Sequence, residues 1–545
     1  MMGRPGDGGD IMSLGGAPHV PTRAPVSPPT SVSPPPPDPD PAATSSPRDT
    51  ADLREIVQQA ADAGTPLRLA GAGRWLDAGR PVVAARRVDL RALAGIVEYV
   101  PGDLTMTAGA GSTLAELQEV ARAQGQFIPL DPWGDDSGTL GATLATTTAG
   151  PLSAALGLPR DVVLGMSVVT GTGELIRPGG RVVKNVAGFD LVRLMVGAWG
   201  TLGVITQATV RLRALPERDQ SFAVAVPAGG ATGLADWLAQ LRAAPLHPLA
   251  MELLDHRLAR SLELDTDDRD VLLIRLAGNA DAVTAQRATL GHFGDPVAAP
   301  DHCWARLRGA LSGHPVTLRL SAGPSELEAV WRVASALVAR AVAAAPSADD
   351  AGASPVPDSP AMGSEPPTPQ GHRAFLHASV GRGVVRLALP ALPEQTLAEL
   401  LGRAAPPGMR RVFERLPASL WPLLAPSAVA DPLSRGVRLA FDPRAILNPG
   451  ILGAEQDVTA PVSTTAGASA GPATARVATT AGASAGPATA RVATAGGASA
   501  GPATARVATA GGAGTGAATT DAAVAAKPIH GSVGTTPSSQ RRGGS

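Results

Sequence analysis

The chain has 545 residues, a formal net charge of −1 and a single cysteine, Cys303. The near-neutral charge gives no electrostatic drive toward nucleic acid, and one cysteine excludes an internal disulfide or a cysteine-ligated iron–sulfur cluster held by this chain alone. No apolar run reaches the ~18 residues of a spanning helix, and the N-terminus lacks the basic-then-apolar pattern of a secretory signal, so a cytoplasmic location is the expectation.

Residues 1–48 are Pro-rich, with PPPP at 34–37, and cannot bury enough apolar surface to offset ordering entropy. TADLREIVQQAADAG, 50–64, reads as an amphipathic helix capped by Thr50 and ended by Gly64. PLRLAGAGRW follows as a short strand running into Gly71-Ala72-Gly73. The span 113–124 predicts a helix with a buried stripe of Leu114, Leu117, Val120 and Ala121. Val-rich strands and a short helix then lie between two further glycine elements, GTLGAT at 138–143 and GAWGTLGVIT at 197–206. The texture is mixed α+β, without a regular βαβ alternation.

From 221 the pattern becomes strand–helix–strand: SFAVAVPA, a helix over ATGLADWLAQLRAA, LAMELLD, VLLIRLAG, a helix at 279–292, VTLRLSAG and a long helix over SELEAVWRVASALVARAVAA. After a Pro/Ser/Asp-rich insert, 345–371, come two strands in RAFLHASVGRGVVRLAL and a helix in QTLAELLGRAA. This predicts an antiparallel sheet with helices on one side. Ordered sequence closes at DPRAILNPGIL, 442–452. The tail, 454–545, carries a 15-residue repeat starting at 464, 479 and 494, too poor in large apolar residues to stack as a solenoid. The expected organisation is therefore a disordered 1–48, a first domain over 49–218, a second over 219–453 and a disordered tail.

Glycines allow close backbone approach, and successive N–H groups in such turns form cradles for phosphate oxygens. One glycine loop is weak evidence, and neither a Rossmann fingerprint nor a P-loop is present. Three in order are more specific. Residues 49–218 resemble the FAD-binding domain of the vanillyl-alcohol oxidase / p-cresol methylhydroxylase (PCMH) type: RDVVLGMSVVTGTGELI matches its RD-x-VLG-x-x-VV-x-x-x-G-E pattern. Within that family, VVKNVAGFDLVRLMVGAWGTLGVIT and DPRAILNPGIL are similar to the glycolate oxidase FAD-binding subunits (GlcE), with Phe189 where that group carries Tyr.

The resemblance implies an α+β fold, a two-subdomain PCMH-type domain followed by a ferredoxin-like antiparallel cap. It implies FAD wrapped by Gly71, Ala72, Gly73, Thr139, Leu140, Gly141, Thr143, Gly197, Gly200, Thr201, Gly203 and Ile205. Covalent members attach the flavin through a His near the first glycine loop, where this chain has Arg74-Trp75, so non-covalent FAD is expected. Lys184, one of only two lysines, and Asn185 are expected to face cofactor or substrate. The implied activity is oxidation of a small 2-hydroxy acid to the 2-oxo acid, alongside a catalytic flavin paralogue and an iron–sulfur subunit, with membrane association only through those partners. A flavin-bearing subunit without turnover of its own is the alternative.

His377 falls where related D-2-hydroxyacid dehydrogenases carry HAGDGNLH, but no His fills the second place. A two-His metal site needs both ligands, so no metal is expected, and His377 is either a general base or a plain strand residue. Asp135 and Asp136 read as loop carboxylates, and Arg160-Asp161 as a local ion pair.

Overall fold

The structure, a computed structural model, describes residues 43–180, 190–228, 230–264, 267–345, 374–403 and 405–453. The Pro-rich N-terminus as far as 42, nearly all of the insert, the repeat tail, and 181–189 with Lys184, Asn185 and Phe189 lie outside the described residues, together with the expectations made for them.

The first helix, Thr50–Ala63, is capped by Asp49, whose Oδ1 accepts from the N–H groups of Ala51 and Asp52 at 2.8 and 2.9 Å. The cap is therefore one residue earlier than Thr50. A carboxylate at this place satisfies otherwise orphaned helix donors and contributes roughly 1 kcal/mol. Gly64 ends the helix at φ 64°, a left-handed conformation that an L side chain resists. Leu53, Val57 and Ala60 face a three-stranded parallel sheet, ordered Thr44–Ser45, Arg86–Asp89, Leu67–Ala70. Its first strand starts ahead of residue 49, the limit expected for this domain.

A five-stranded antiparallel sheet follows, ordered Ile96–Val100, Thr105–Gly109, Val204–Arg211, Val163–Val169, Leu175–Ile176. The helix Leu114–Arg122 packs against it through Leu114, Leu117 and Ala121, started by a Thr113/Glu116 capping box. Val120 lies outside the expected stripe and is exposed, because it sits six positions from Leu114, well around a 3.6-residue helix.

The second domain is a single eight-stranded antiparallel sheet, ordered Val297–Ala298, Arg218–Ala225, Val271–Gly278, Ala250–Leu254, Phe375–Ser379, Val384–Leu389, Val316–Ser321, Arg410–Arg415. In chain order it is βαββαβ twice over. Each half has the strand order 4-1-3-2 of a ferredoxin-like unit, and the halves join where Ala250–Leu254 pairs with Phe375–Ser379. The expected single ferredoxin-like sheet is thus two such units fused edge to edge. Helices Gly230–Ala243, Ala280–Leu290, Leu327–Ala344 and Glu394–Leu401 cover one face through a core containing Trp237, Leu241, Val330 and Leu397. The other face is apolar on its first half, under helices His256–Ser261 and Cys303–Gly309, and charged near the seam.

The chain then returns to the first domain. Helix Pro432–Phe441 packs Val437 and Phe441 on the five-stranded core, and Ile446 and Leu447 enter the core beneath the parallel sheet. Residues 432–453 therefore complete the first domain, although they follow the second in sequence.

One buried carboxylate makes stability pH-dependent. Asp255 caps His256–Ser261, accepting from Leu258 N–H at 2.9 Å, and burial pushes its carboxyl up to about 7. A folded-state value above the unfolded one gives stability that is full at acid pH and lost as pH rises through about 7. Asp255→Asn keeps the cap but does not ionise. Its stability relative to the parent should rise between pH 5 and pH 8 by up to roughly 2.5 kcal/mol, checked by urea unfolding at both values.

Candidate functional site

A cleft of about 960 Å³, the solvent at its mouth included, opens in the first domain. All three glycine elements help to wall it. Gly71, Ala72 and Gly73 follow strand Leu67–Ala70. Thr139, Gly141 and Thr143 belong to the start of helix Leu140–Thr146, and Gly200, Gly203 and Ile205 lead into strand Val204–Arg211.

The walls fit a large anionic ligand at close range. The amides of Ala72, Gly73 and Arg74 donate to no backbone carbonyl among the described residues, leaving a row of donors at the cleft. A β-carbon on Gly71 would fall on the Thr139 hydroxyl, one on Gly141 would lie 2.7 Å from Ala110 Cβ, and one on Gly203 would lie 2.5 Å from Val168 Cγ1. Thr139 Oγ1 meanwhile caps the second element, accepting from Ala142 N–H at 3.3 Å. Side chains are thus excluded from the cradle by packing as well as by ligand access.

Leu140, Gly197 and Thr201 stand behind the wall instead. Leu140 is fully buried in the core, since the residue after an N-cap turns inward here. Gly197 N–H donates to Leu144 O at 3.0 Å, and the Thr201 hydroxyl donates to Ala198 O at 2.7 Å. The first bond docks the third element on the second, and the other closes a turn within the third. Asp161, expected to pair with Arg160, caps Leu158 N–H at 3.0 Å and lies 3.6 Å from Arg193.

Several residues at the cleft were absent from the expected set. Asn448 ties two walls: its Oδ1 accepts from Leu69 N–H at 2.9 Å and its Nδ2 donates to Trp199 O at 2.8 Å. Its motif, ILNPG, was visible in sequence, but not that it returns to the first glycine loop. Trp133 comes from the loop 131–138, which two arginines fasten. Arg74 Nε donates to Ser137 Oγ at 2.7 Å. Arg308, from helix Cys303–Gly309 of the second domain, reaches Asp131 at 3.2 Å and grips Asp136 through two nitrogens. Burial holds the Asp131 carboxyl above its usual range. Burial also opposes ionisation of Asp136, but the Arg308 hydrogen bond and charge prevail and hold it below.

The Trp133 ring is the partition between cleft and second domain. Its far side meets the His377 imidazole at 4.7 Å and the Arg386 guanidinium at 4.6 Å. His377 Nδ1 lies 2.9 Å from Glu252 Oε2 across the seam of the two ferredoxin-like halves, both residues fully buried. His377 Nε2, Glu252 Oε1, Trp133 Nε1, Ser379 Oγ and Arg386 Nε have no hydrogen-bond partner among the described residues. Unsatisfied buried polar atoms are costly, and five in one place mark a site. His377 is therefore buried within its strand beside Glu252 and not exposed at the cleft. Its Glu252 partner was not legible, because it comes from the other half of the sheet.

Among the described residues no group of three or more His, Cys, Asp or Glu could hold a metal, and no helix is long and apolar enough to cross a membrane. The cleft lining described contains no His, Cys or Tyr.

Residues 41–179 match the family model described as FAD binding domain. The chain is 36% identical over 259 residues to glycolate oxidase subunit GlcE of Escherichia coli, covering 47% of this chain and 67% of that protein. It is 29% identical to glycolate oxidase subunit GlcD of Bacillus subtilis and 28% to D-lactate dehydrogenase of Archaeoglobus fulgidus, spanning about half of each (52% and 47%) and 44% and 39% of this chain. An alkyldihydroxyacetonephosphate synthase structure has the same fold, with a TM-score of 0.51 at 18% identity over 74% of this chain and 75% of that one. The cofactor that the glycine cradle fits is FAD, the chain is an FAD-dependent oxidoreductase, and it belongs to the GlcE family of flavin-binding subunits.

Proposed function

We propose that this chain oxidises a small 2-hydroxy acid, of the glycolate or D-lactate type, to the 2-oxo acid, and passes the electrons to an iron–sulfur partner subunit beside a GlcD-like paralogue. The observation that carries the reading is the buried Glu252–His377 pair behind Trp133, at the wall of a glycine cradle suited to FAD. FAD, when bound, supplies a two-electron acceptor for the hydride leaving the substrate α-carbon. Glu252 orients the imidazole through Nδ1 and leaves Nε2 to take the hydroxyl proton. Non-covalent binding of FAD is part of this proposal, supported by the absence of His, Cys and Tyr from the described cleft lining. Lys184 and Asn185 remain the sequence-derived candidates for contacts from 181–189.

His377→Gln should slow anaerobic flavin reduction by glycolate or D-lactate about 10²- to 10³-fold with FAD content retained, as read by stopped-flow absorbance. A rate within threefold of the parent would remove His377 from the chemistry.

A second reading has its own observation. Val384 stands at the place of the second His, and His377 lies covered by Trp133. A subunit that holds flavin and relays electrons without turnover fits this arrangement. It predicts flavin that no 2-hydroxy acid bleaches in the isolated chain.

A further inference from the structure

Cross-strand register lays a row of charge over the sheet face behind Trp133. His377 pairs with Arg386, and Arg386 pairs with Arg319, across three neighbouring strands. Arg382 sits in the turn joining the strands Phe375–Ser379 and Val384–Leu389, and its Nη1 donates to Ser153 Oγ at 2.9 Å. A β-carbon on Gly381 beside it would lie 3.3 Å from Ala154 Cβ, so this turn abuts the segment that leads to Arg160.

Other buried or half-buried arginines are held by acids, Arg308 by Asp131 and Asp136, Arg275 by Asp219 and Arg415 by Asp77, or by backbone carbonyls, Arg411 by Leu401 O and Arg403 O. Here the balance fails. Arg382 and Arg386 have each other, Arg319 and, for Arg382, Arg160 as neighbouring cations, against Glu252 and Glu414 as the neighbouring acids. Glu252 is engaged by His377, Glu414 is shared between Arg386 at 3.1 Å and Arg319 at 3.9 Å, and Arg382 holds only a hydroxyl. Arg386 is buried with Nε unpartnered, Arg382 is half-buried, and Arg160 is exposed. The positive charge therefore runs from the partition toward solvent. Burial, then the neighbouring guanidinium charges, hold the Arg382 side chain below its ordinary pKa. Uncompensated cations at a domain junction are expensive unless an anion completes them.

We propose that this face binds a dicarboxylate: one carboxylate of a 2-hydroxy diacid at Arg386 beside Trp133, the other at Arg382 with Arg319 and Arg160. This rests on the 2-hydroxy acid reading for the reaction, but not for the anion site. Two acidic groups balance four guanidinium groups with a dianion in place, whereas glycolate or lactate leaves the outer arginines unmatched.

The test uses the full-length flavoprotein. Binding of malonate, succinate and glutarate, which carry no hydroxyl, is compared with that of acetate at matched ionic strength, by Trp fluorescence and thermal shift. Anaerobic flavin reduction is compared for D-malate and D-2-hydroxyglutarate against glycolate and D-lactate. A diacid should bind at least roughly tenfold more tightly than acetate. Arg382→Met should bring that ratio toward one, and Arg382→Lys should restore part of it. Arg160→Met, at an exposed position, gives the same reading if Arg382→Met fails to fold. Diacid binding that depends on Arg382 without flavin reduction by any hydroxy acid upholds the anion site and removes the oxidation reading. Flavin reduction by glycolate with no diacid preference, or a preference that Arg382→Met and Arg160→Met leave intact, overturns the proposal and leaves the oxidation reading standing.

Discussion

Gly71→Val is expected to give a folded protein that has lost most of its FAD. The β-carbon alone would coincide with the Thr139 hydroxyl, which caps the second cradle element through Ala142 N–H. Either the first loop moves outward or the cap is broken, and both displace amides from the cleft. Overpacking of this kind costs roughly 1–3 kcal/mol, so FAD affinity should fall about 10- to 100-fold. The ratio of visible to protein absorbance after gel filtration reads the loss, and far-UV circular dichroism reads the fold. Neither Gly71 nor Thr139 belongs to the second domain, whose spectrum and cooperative unfolding should survive. Full flavin loading in the variant would mean that the cradle is not where FAD binds.

Arg308→Met should destabilise the protein by about 3–5 kcal/mol at pH 8. It leaves Asp131 buried without its cation, and burial already holds that carboxyl above its usual range. Because the folded-state value is raised, the charged form is the costly one, so the deficit should grow as pH rises and shrink toward pH 5. Asp131→Asn in the same chain should recover part of the loss, since the buried carboxylate is then gone and only the more exposed Asp136 is left without its cation. The variant should also weaken FAD binding, because Arg308 fastens the loop carrying Trp133 to the second domain. Urea unfolding of the two single variants and the double variant, at pH 5 and pH 8, resolves the charge effect from lost packing. A deficit independent of pH would assign it to packing alone.

What the sequence revealed, and what it hid, follows from the range of the interactions. Local signals placed most helices and strands of the second domain within a few residues, because amphipathic period and turn glycines act over neighbours, but not the outer strands Val297–Ala298 and Arg410–Arg415 or the helices His256–Ser261 and Cys303–Gly309. The three glycine elements were legible because each needs glycine for a local reason, and most of their residues do line the cleft. Leu140 and Thr201 share those motifs but serve the core and a turn, a distinction that depends on which face packs. The doubling of the ferredoxin-like unit was hidden, since only strand pairing between residues more than 100 apart shows it, as in Leu253 with Ala378. The same range hid the Glu252–His377 pair and the Arg308 clasp, whose members lie 125 and 172 residues apart. The return of 432–453 to the first domain was invisible for the same reason, although ILNPG itself stood out.

The most direct test of the account is an anaerobic visible spectrum of the flavin-loaded full-length chain, taken before and after addition of a panel of 2-hydroxy acids. The account predicts a flavin band that is bleached by at least one of them and whose chromophore stays in the supernatant after acid precipitation. A flavin band that no 2-hydroxy acid alters would contradict catalysis by this subunit, and a chromophore that precipitates with the protein would contradict non-covalent binding.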